Sequence, residues 1–332
     1  MSLPKVAFIG TGGTMSSLGA DNLDFIDYPL NDHRLEADEI LARVPETARF
    51  ANVLPVRFRA IPSFDVGLSD WRELAQLCED LVRQHPDLVG IVIGHGTSSL
   101  EETAFFLNVV LKVDLPVVVT GSQRPLNALS SDAGLNLVNA VRVAAAPEAR
   151  GKGVLVVLND EIQAAREVTK SSTLRVQTFV SPDFGALGHV DRDRICFYRQ
   201  PTRRHYPETH FNLATIAELP RVDIVYAHLG SDGTAVRAFL DAGARGIVSA
   251  GFAPGHPGRV ENQLLIEAAR HGVVVVQSRR GFSGRIAASR RLEEAGVVAA
   301  DNLNPEKARL LLALALTTTS DRKKIARFFE EY

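Results

Sequence analysis

Hydroxyl-bearing residues are grouped with glycines near the start of the chain, in the sequence GTGGTM of residues 10–15. The segment directly follows an apolar run, and ligands of open parallel sheets bind at the ends of such strands. The glycines let the backbone turn sharply and approach a ligand closely, while Thr11 and Thr14 supply two hydroxyls. A dinucleotide-binding loop would need a third glycine where Met15 stands, and a phosphate-binding loop would need a Gly-Lys-Ser/Thr sequence. The segment therefore predicts a hydroxyl-based site, with a plain glycine turn as the alternative.

A second group, GHGTSSLEET of residues 94–103, also follows an apolar run. Thr97 is the candidate for chemistry in this group. The alternative is a helix start, in which a serine is the cap and one of the two glutamates completes a capping box. That role would not exclude catalysis by Thr97. We interpret His95 as a hydrogen-bonded turn histidine in preference to a catalytic base.

A third group, TGSQRP of residues 120–125, is followed seven residues later by Asp132. We expect Arg124 and Asp132 to pair, because an arginine and a carboxylate form strong, well-oriented hydrogen bonds. This group is therefore assigned a structural role in preference to a catalytic one.

A lysine stands among hydroxyl residues in the sequence REVTKSS, residues 166–172. A threonine hydroxyl is a poor nucleophile unless a base contacts it. Lys170 could be that base if burial lowered its pKa. Most lysines are solvated, so this segment alone is a weak signal.

The elements that must position these groups alternate between short apolar runs and helical patterns. In the first part of the chain we predict strands at 6–9, 56–61, 88–93, 117–120 and 154–158, and helices at 68–84, 101–111 and 133–146. In the last part we predict strands at 223–228, 246–250 and 273–277, and helices at 234–242, 261–271 and 304–315. This alternation predicts an α/β fold with a large N-terminal parallel-sheet domain plus a smaller C-terminal α/β domain.

The segment 198–219 breaks this alternation, because it is polar, contains prolines and has no strong period. We predict that it is a linker. The N-terminal catalytic α/β domain would then be residues 1–197 and the C-terminal α/β domain residues 220–332. Two domains agree with the chain length of 332 residues, at roughly 100–200 residues per domain.

Composition and charge indicate which partners to expect. Apolar residues make up 45% and charged residues 23% of the chain, as in ordinary globular proteins. The formal net charge of −2 gives no general electrostatic reason to bind nucleic acid or an anionic membrane, so we expect neither partner. Cys78 lies in an apolar helical pattern and is predicted to be a buried thiol. Neither Cys78 nor Cys196 belongs to a C-x-x-C pair, which fits a reducing compartment.

The N-terminal residues lead us to expect a cytoplasmic location. One lysine and a short apolar stretch are too little for a secretory signal peptide. Apolar runs also stay shorter than the ~18 residues of a membrane-spanning helix.

The four groups, in this order, resemble the signatures of the bacterial L-asparaginase/glutaminase family of types I and II. The family's Thr-Gly-Gly-Thr is matched by residues 11–14, and its His-Gly-Thr-Asp-Thr-Met-Glu-Glu-Thr by residues 95–103 except in the middle. Its Gly-Ser-Gln-Arg-Pro is matched by residues 121–125, its Ser-Asp-x-x-x-Asn-Leu by 131–137, and its Val-Thr-Lys by 168–170. Shorter similarities continue through the second domain, so the resemblance covers nearly the whole chain.

This resemblance implies a threonine-nucleophile amidohydrolase that cleaves a small-molecule amide through an acyl-enzyme. Thr14 matches the nucleophile, and Tyr28, in the loop after the signature, matches its activator. Thr97 and Lys170 match the family's second threonine and its lysine. The family uses no metal or organic cofactor, and its sites form between subunits, usually in a homotetramer.

The resemblance also implies where substrate binds. Ser63 matches a serine that holds the substrate α-carboxylate, and Phe64 follows it. Gly96 and Ser98 flank Thr97 and complete the candidate substrate-binding residues. Backbone N–H groups in the glycine turn and near Thr97 could hold the developing oxyanion, and one such donor is worth ~3–4 kcal/mol of barrier.

The chain departs from the family at three places, and all three touch substrate recognition. Ser98 replaces an Asp that pairs with the family's lysine and holds the substrate α-ammonium. Phe64 replaces a Gln, and residues 251–258, GFAPGHPG, replace a Gly-Thr-Gly-Asn-Gly stretch. The loss of the carboxylate predicts a lower pKa for Lys170 and a poorer site for an α-ammonium, because an unpaired buried charge is costly.

These departures leave several hypotheses for function. One is an amidase- or lactamase-like hydrolase for substrates without a free α-ammonium, with Phe64 as an apolar wall. Another is an asparaginase that converts L-asparagine to L-aspartate and ammonia, in which Asp65 or Glu102 reaches the ammonium. A third is a catalytically weak relative that binds a small molecule, although the retained threonines and lysine speak against it. A plain nucleotide-binding protein fits the sequence poorly.

Overall fold

The computed structural model describes residues 2–30 and 34–332 and divides the chain into two compact units between His210 and Phe211. This division lies inside the segment 198–219 that the sequence predicts as a linker. The confirmed fold class is α/β, with a large unit built on a mostly parallel sheet and a smaller α/β unit after it.

The first unit is built on an eight-stranded sheet. The strands of this unit are β1 (Lys5–Gly10), β2 (Asn52–Arg57), β3 (Leu88–Gly94), β4 (Val117–Thr120), β5 (Val154–Leu158), β6 (Glu161–Ala164), β7 (Thr169–Lys170), β8 (Phe179–Val180), β9 (Gly188–Val190) and β10 (Ile195–Phe197). Of these, β7 and β8 form a separate two-stranded hairpin, and the other eight form the large sheet. The order in the sheet is β10-β9-β6-β5-β4-β3-β1-β2. The five strands β1 to β5 run parallel, whereas β6, β9 and β10 extend the sheet antiparallel.

Helices cover the parallel part of this sheet. They are α1 (Ala37–Arg43), α2 (Leu68–Gln84), α3 (Leu100–Val110) and α4 (Ala133–Ala145). The inner strands are buried on both faces, which explains why their sequences are continuous apolar runs. Cys78 lies on the buried face of α2, and burial raises the pKa of its thiol to about 12. The predicted buried thiol is therefore confirmed.

One strand prediction was wrong in position. The apolar run 56–61 was assigned to a strand, but β2 occupies Asn52–Arg57 and pairs there with β1. Pro55 is tolerated within it because β2 is an edge strand, where a missing N–H costs little. The later residues of the run leave the ladder, and Ile61 N–H donates instead to Thr11 O at 3.2 Å. This hydrogen bond carries the residues that follow, Ser63 among them, toward the loop after β1.

The second unit has a parallel sheet of four strands in the order β11-β12-β13-β14. Its elements are β11 (Val222–Tyr226), α5 (Thr234–Asp241), β12 (Gly246–Gly251), α6 (Arg259–Arg270), β13 (Val274–Arg279), α7 (Arg290–Ala295), β14 (Val298–Ala299), α8 (Pro305–Thr318) and α9 (Arg322–Glu331). The sequence did not predict α7, β14 and α9. The first two are short, and α9 is dominated by charged residues, so none of them shows a long apolar pattern.

Candidate active site

The register of three neighbouring strands brings the candidate loops together. Gly10 at the end of β1 pairs with Gly94 at the end of β3, and Gly94 pairs with Thr120 at the end of β4. The three groups singled out in the sequence therefore leave the sheet side by side at one edge. In open parallel sheets this edge is where ligands bind.

The glycine turn after β1 packs directly on the loop after β3. Gly12 and Gly13 have φ of 98° and 79°, a region that residues with a side chain rarely adopt. A Cβ on Gly13 would overlap the backbone of Gly96, so the two loops touch through their backbones. Thr11 fastens the contact, since both its N–H and its hydroxyl donate to Gly94 O, at 2.9 and 3.0 Å. The residues that follow, Thr14 among them, are thereby held close to the Thr97 loop.

Thr14 and Tyr28 are hydrogen-bonded through their hydroxyls. Thr14 Oγ1 lies 2.9 Å from Tyr28 Oη, and either oxygen can be the donor. Tyr28 begins a single helical turn, and the carboxylate of Asp24 accepts hydrogen bonds from the N–H groups of Asp27 and Tyr28, at 2.9 and 3.0 Å. The Ala20 N–H also donates to this carboxylate, at 3.0 Å, and it lowers the pKa of Asp24 most, followed by the N–H groups of Asp27 and Tyr28. The loop thus fixes Tyr28 on Thr14 through a charged anchor.

Thr97 and Lys170 form a second pair. Lys170 Nζ donates to Thr97 Oγ1 at 2.8 Å, and Thr97 is buried. Partial burial lowers the pKa of Lys170, and the charge of Glu101 opposes that shift. A lysine with a lowered pKa has more of the neutral amine that can take a proton.

The carboxylate of Glu101 positions Lys170 by binding the backbone N–H of the lysine. Glu101 Oε1 accepts from Lys170 N–H at 3.0 Å and from the Thr169 hydroxyl at 3.1 Å. The alternative of a capping box is wrong, because Ser99, the N-cap residue of α3, makes no side-chain cap and donates its hydroxyl to Ser63 O at 2.5 Å. The carboxylate of Glu101 binds β7. The sequence analysis missed the role of Glu101, since a glutamate in a first helical turn looks like a capping residue.

Gln123 is a second residue of the candidate site that the sequence did not indicate. The Thr97 hydroxyl donates to Gln123 Oε1 at 3.2 Å. Asp132 holds the backbone here, accepting from the N–H groups of Gln123 and Arg124, each at 3.0 Å. The guanidinium of Arg124 donates elsewhere, to Ser130 O at 2.7 Å. The expected Arg124–Asp132 pair is therefore wrong in its geometry, because the carboxylate binds the backbone of Arg124 instead of its side chain.

Three of the four candidate substrate-binding residues lie together. Ser63 is buried, and its Oγ accepts from Ser98 N–H at 3.2 Å. Gly96 faces this hydroxyl so closely that an added Cβ would lie 2.6 Å from Ser63 Oγ. Ser98 is exposed. Phe64 directs its ring to solvent with 73% of its surface exposed, so it does not line the Ser63 contact in this chain.

Residues 251–258, the third departure from the family pattern, form a closed turn at the end of β12. The backbones of Phe252 and His256 exchange hydrogen bonds at 2.8 and 2.7 Å. Ala253–Pro254 within the turn is a cis peptide. Gln277 ties the turn down by donating to Gly255 O.

His95 is buried and fully hydrogen-bonded, in agreement with its interpretation as a turn histidine. Its Nδ1 lies 2.8 Å from Gly96 O, a pure acceptor, so Nδ1 carries the proton. Nε2 then accepts from the Thr103 hydroxyl at 3.0 Å, which in turn accepts from Trp71 Nε1–H at 2.8 Å. Burial lowers the pKa of His95 to about 4, so the ring is neutral at physiological pH. This chain of hydrogen bonds fixes the carbonyl of Gly96.

Other kinds of site find no support in the part of the chain that the structure describes. Within residues 2–30 and 34–332, no group of three or more His, Cys, Asp or Glu side chains is placed to hold a metal ion. No helix in the same ranges is long and apolar enough to cross a membrane.

Comparison with known proteins agrees with this fold over the whole chain. Residues 5–203 match the family model of the N-terminal asparaginase domain, and residues 221–329 match that of the glutaminase/asparaginase C-terminal domain. The chain is 39% identical to a probable periplasmic L-asparaginase of Haemophilus influenzae, over 99% of this chain and 93% of that one. It is 40% identical to L-asparaginase 2 of Bacillus subtilis, over 99% and 87%.

A solved structure extends the comparison to three dimensions. The crystal structure of a probable cytoplasmic L-asparaginase from Campylobacter jejuni superimposes with a TM-score of 0.93 at 37% identity, and the match covers 100% of both chains. Two family models that together match most of the chain, and relatives at 39–40% identity over nearly all of it, agree with one another. This chain belongs to the asparaginase family of amidohydrolases.

Proposed function

We propose that this chain hydrolyses the side-chain amide of a small amino-acid-like molecule, with L-asparagine as the first candidate, to a carboxylate and ammonia. The observation that carries the proposal is the pairing of two hydroxyls with two activating groups at neighbouring strand ends. Thr14 is paired with Tyr28 at 2.9 Å, and Thr97 with Lys170 at 2.8 Å. Relatives named L-asparaginase support the choice of substrate.

In the first step, Thr14 Oγ1 attacks the carbonyl carbon of the amide. The Thr14 hydroxyl gives its proton to Tyr28 Oη as the Tyr28 hydroxyl gives its own to the amide nitrogen. The C–N bond then breaks, ammonia leaves, and an ester to Thr14 remains. Tyr28 lies in hydrogen-bonding contact with the attacking oxygen and is our proposed activator. Backbone N–H groups at the touching Gly13 and Gly96 turns are the proposed donors for the oxyanion, because rigid donors aimed at a developing charge lower the barrier.

In the second step, water attacks the ester, and Lys170 and Thr97 form the relay that takes its proton. Water gives a proton to Thr97 Oγ1 as the Thr97 hydroxyl gives its own to the neutral Lys170 amine. The ester C–O bond then breaks, the acid is released, and the proton on Lys170 returns through Thr97 to Thr14 Oγ1. The lowered pKa of Lys170, which results from burial, supports its role as the base.

The substrate head group decides between two versions of this proposal. Ser63 Oγ and the Ser98 loop lie together and are the proposed contacts of the α-carboxylate. Ser98 brings no negative charge to this loop, and Glu101 is bound to the backbone of Lys170. This favours, as a second candidate, an amide or lactam without a free α-ammonium. An asparaginase would need Asp65 or Glu102 to meet the ammonium.

The assembly and location remain part of the proposal. A homo-oligomer, usually a tetramer in this family, is expected from the resemblance. Relatives point to different compartments, since one is named a probable periplasmic enzyme and another a probable cytoplasmic one. We keep the cytoplasm as the prediction for this chain.

Ammonia release from a panel of amides tests the proposal. The panel contains L-asparagine, its des-amino analogue succinamic acid and an N-acyl asparagine, each with the wild type and with Thr14→Ala. Thr318→Ala, an exposed threonine at the end of α8, is the matched control. We expect release that Thr14→Ala abolishes and Thr318→Ala retains, with an acyl adduct found on Thr14 by mass spectrometry.

The same panel separates the two versions. Fast turnover of L-asparagine alone contradicts the version without an α-ammonium, and a preference for succinamic acid or the N-acyl compound supports it. Undiminished ammonia release by Thr14→Ala contradicts the threonine mechanism as a whole.

A further inference from the structure

A chain of three side chains ends at Gln123. Lys170 Nζ donates to Thr97 Oγ1 at 2.8 Å, and the Thr97 hydroxyl donates to Gln123 Oε1 at 3.2 Å. A hydroxyl has one hydrogen, so a hydrogen directed to Gln123 is not directed to Lys170. In this arrangement Thr97 accepts from Lys170 and cannot give it a proton.

The relay in the proposed second step needs the opposite direction. For the Lys170 amine to take a proton, the Thr97 hydroxyl hydrogen must lie on the line to Nζ. The Thr97 oxygen is then free to accept a hydrogen bond on the side where Gln123 stands. A donor at that position stabilises the active arrangement, and an acceptor there works against it.

The side chain of Gln123 can be either partner. Its amide has an oxygen that accepts and a nitrogen that donates, and a half turn about the last torsion exchanges them. Gln123 Nε2 is buried and makes no hydrogen bond to any residue that the structure describes. The half turn therefore breaks no hydrogen bond of Nε2.

The rest of Gln123 is held in place. Its N–H donates to Asp132 Oδ2 at 3.0 Å, and Asp132 also accepts from the Asn136 side chain at 3.1 Å. The backbone at the end of β4 is thus fixed, and the freedom that remains is that of the side-chain amide.

We propose that Gln123 is a positioning residue whose amide turns to set the direction of the Thr97 hydroxyl. With its oxygen toward Thr97, the hydroxyl points away from Lys170 and the site holds the ammonium form. With its nitrogen toward Thr97, the hydroxyl points to Lys170 and the site is ready to take a proton. The inference rests on the proposed function, because it concerns the same relay.

Glu101 on α3 is a carboxylate whose charge acts on Lys170, and it accepts a hydrogen bond from the backbone of β7. Thr97 bonds to Lys170, Thr169 bonds to Glu101 and Gln123 bonds to Thr97, and these three side chains are uncharged. The protonation of Lys170 is thus the change to which the Gln123 amide can respond.

A direct test reads the amide orientation in the wild-type protein. Neutron crystal structures, at one pH below and one above the titration of Lys170, distinguish the oxygen of Gln123 from its ND₂ group. We expect the oxygen toward Thr97 at the lower pH and the nitrogen toward Thr97 at the higher pH. One orientation at both pH values overturns the inference, whatever the reaction proves to be.

Two variants test the same inference in solution through the pH profile of kcat. Gln123→Glu can only accept, and Gln123→Met keeps the length of the side chain with neither role. A carboxylate raises the pKa of Lys170 by its charge alone, so the informative quantity is the plateau of kcat at pH values above the acid limb. We expect that plateau to fall about 100-fold in Gln123→Glu and about 10-fold in Gln123→Met, with KM within a few-fold.

The outcomes are separable from those of the proposed function. A Gln123→Glu plateau equal to the wild type, or equal losses in both variants, shows a purely electrostatic or packing role and overturns the inference. Retained activity in Thr14→Ala contradicts the proposed function but leaves the neutron result to decide the orientation. Thermal unfolding midpoints near that of the wild type show that the variants are folded.

Discussion

Glu101 and Lys170 are joined through the backbone of the lysine and not through its ammonium group. The carboxylate accepts from Lys170 N–H at 3.0 Å, while Lys170 Nζ donates to Thr97 at 2.8 Å. The carboxylate therefore anchors β7 on the first turn of α3 and leaves the amine free for the threonine. It also adds a negative charge that opposes the lowering of the Lys170 pKa by burial.

The two effects of Glu101 are separable by substitution. Glu101→Gln keeps an oxygen that accepts from β7 but removes the charge, so the pKa of Lys170 falls further. The acid limb of kcat is then expected to move to lower pH, because Lys170 is neutral over a wider range. Glu101→Ala also releases β7 and is expected to lose about 10-fold or more in kcat. Glu148→Gln, at an exposed position, is the control for loss of charge alone. A limb that stays in place in Glu101→Gln contradicts the electrostatic effect.

Removal of one hydroxyl tests the Thr14–Tyr28 pair. Tyr28→Phe keeps the ring and loses the 2.9 Å hydrogen bond, so kcat is expected to fall about 100-fold or more. The free energy of unfolding is expected to change by less than about 1 kcal/mol, since Tyr28 is only partly buried. Tyr226→Phe, at an exposed tyrosine of β11, serves as the control. An unchanged kcat in Tyr28→Phe would remove Tyr28 from the mechanism.

The sequence was sufficient for those features that local patterns encode. Buried strands between helices are continuous apolar runs, and this periodicity predicted β1, β3, β4 and β5 and helices α2 and α4 closely. The β2 error shows the limit, because the run 56–61 is apolar enough for a strand but its backbone binds Thr11 instead of the ladder. Neither the antiparallel strands β6, β9 and β10 nor the β7–β8 hairpin has a run long enough to signal itself.

The same limit applies to the site. Residue types and motif order singled out Thr14, Thr97 and Lys170, but the contacts around them depend on distant partners. Gln123 meets Thr97 from a sequence separation of 26 residues and Glu101 meets Thr169 from 68, and no local pattern reports such contacts. A glutamate in a first helical turn favours a capping role by local rules, and only the fold shows that its carboxylate is used elsewhere.

His95 is expected to make stability depend on pH. Its pKa is about 4 in the folded protein, because of burial, against 6.5 for a free histidine. Between these values the unfolded chain binds a proton that the folded chain does not, so this residue lowers the free energy of unfolding as pH falls from about 6.5 toward 4, by up to about 3 kcal/mol. His95→Gln lacks this dependence. The gap in thermal midpoint between wild type and variant should therefore shrink as pH falls over that range.

A gap that stays constant from pH 7 to 4 would mean that His95 titrates normally and is not sealed from water. Other groups contribute equally to both proteins, so the comparison isolates the one ring. The pH profile of kcat gives a second comparison. We expect the wild type and His95→Gln to show the same inflections near the pKa of a free histidine, because His95 is neutral there.

Ser98→Asp restores the carboxylate that the family carries beside its second threonine. A negative charge near Lys170 favours the ammonium, so the pKa of Lys170 should rise and the acid limb of kcat should move to higher pH. The same charge can meet a substrate α-ammonium, so the ratio of kcat/KM for L-asparagine to that for succinamic acid should rise about 10-fold or more. Ser320→Asp, at an exposed position after α8, controls for added charge. If the ratio stays at the wild-type value although the acid limb moves, another carboxylate such as Asp65 or Glu102 already holds the ammonium, and the hypothesis of a substrate without one is wrong.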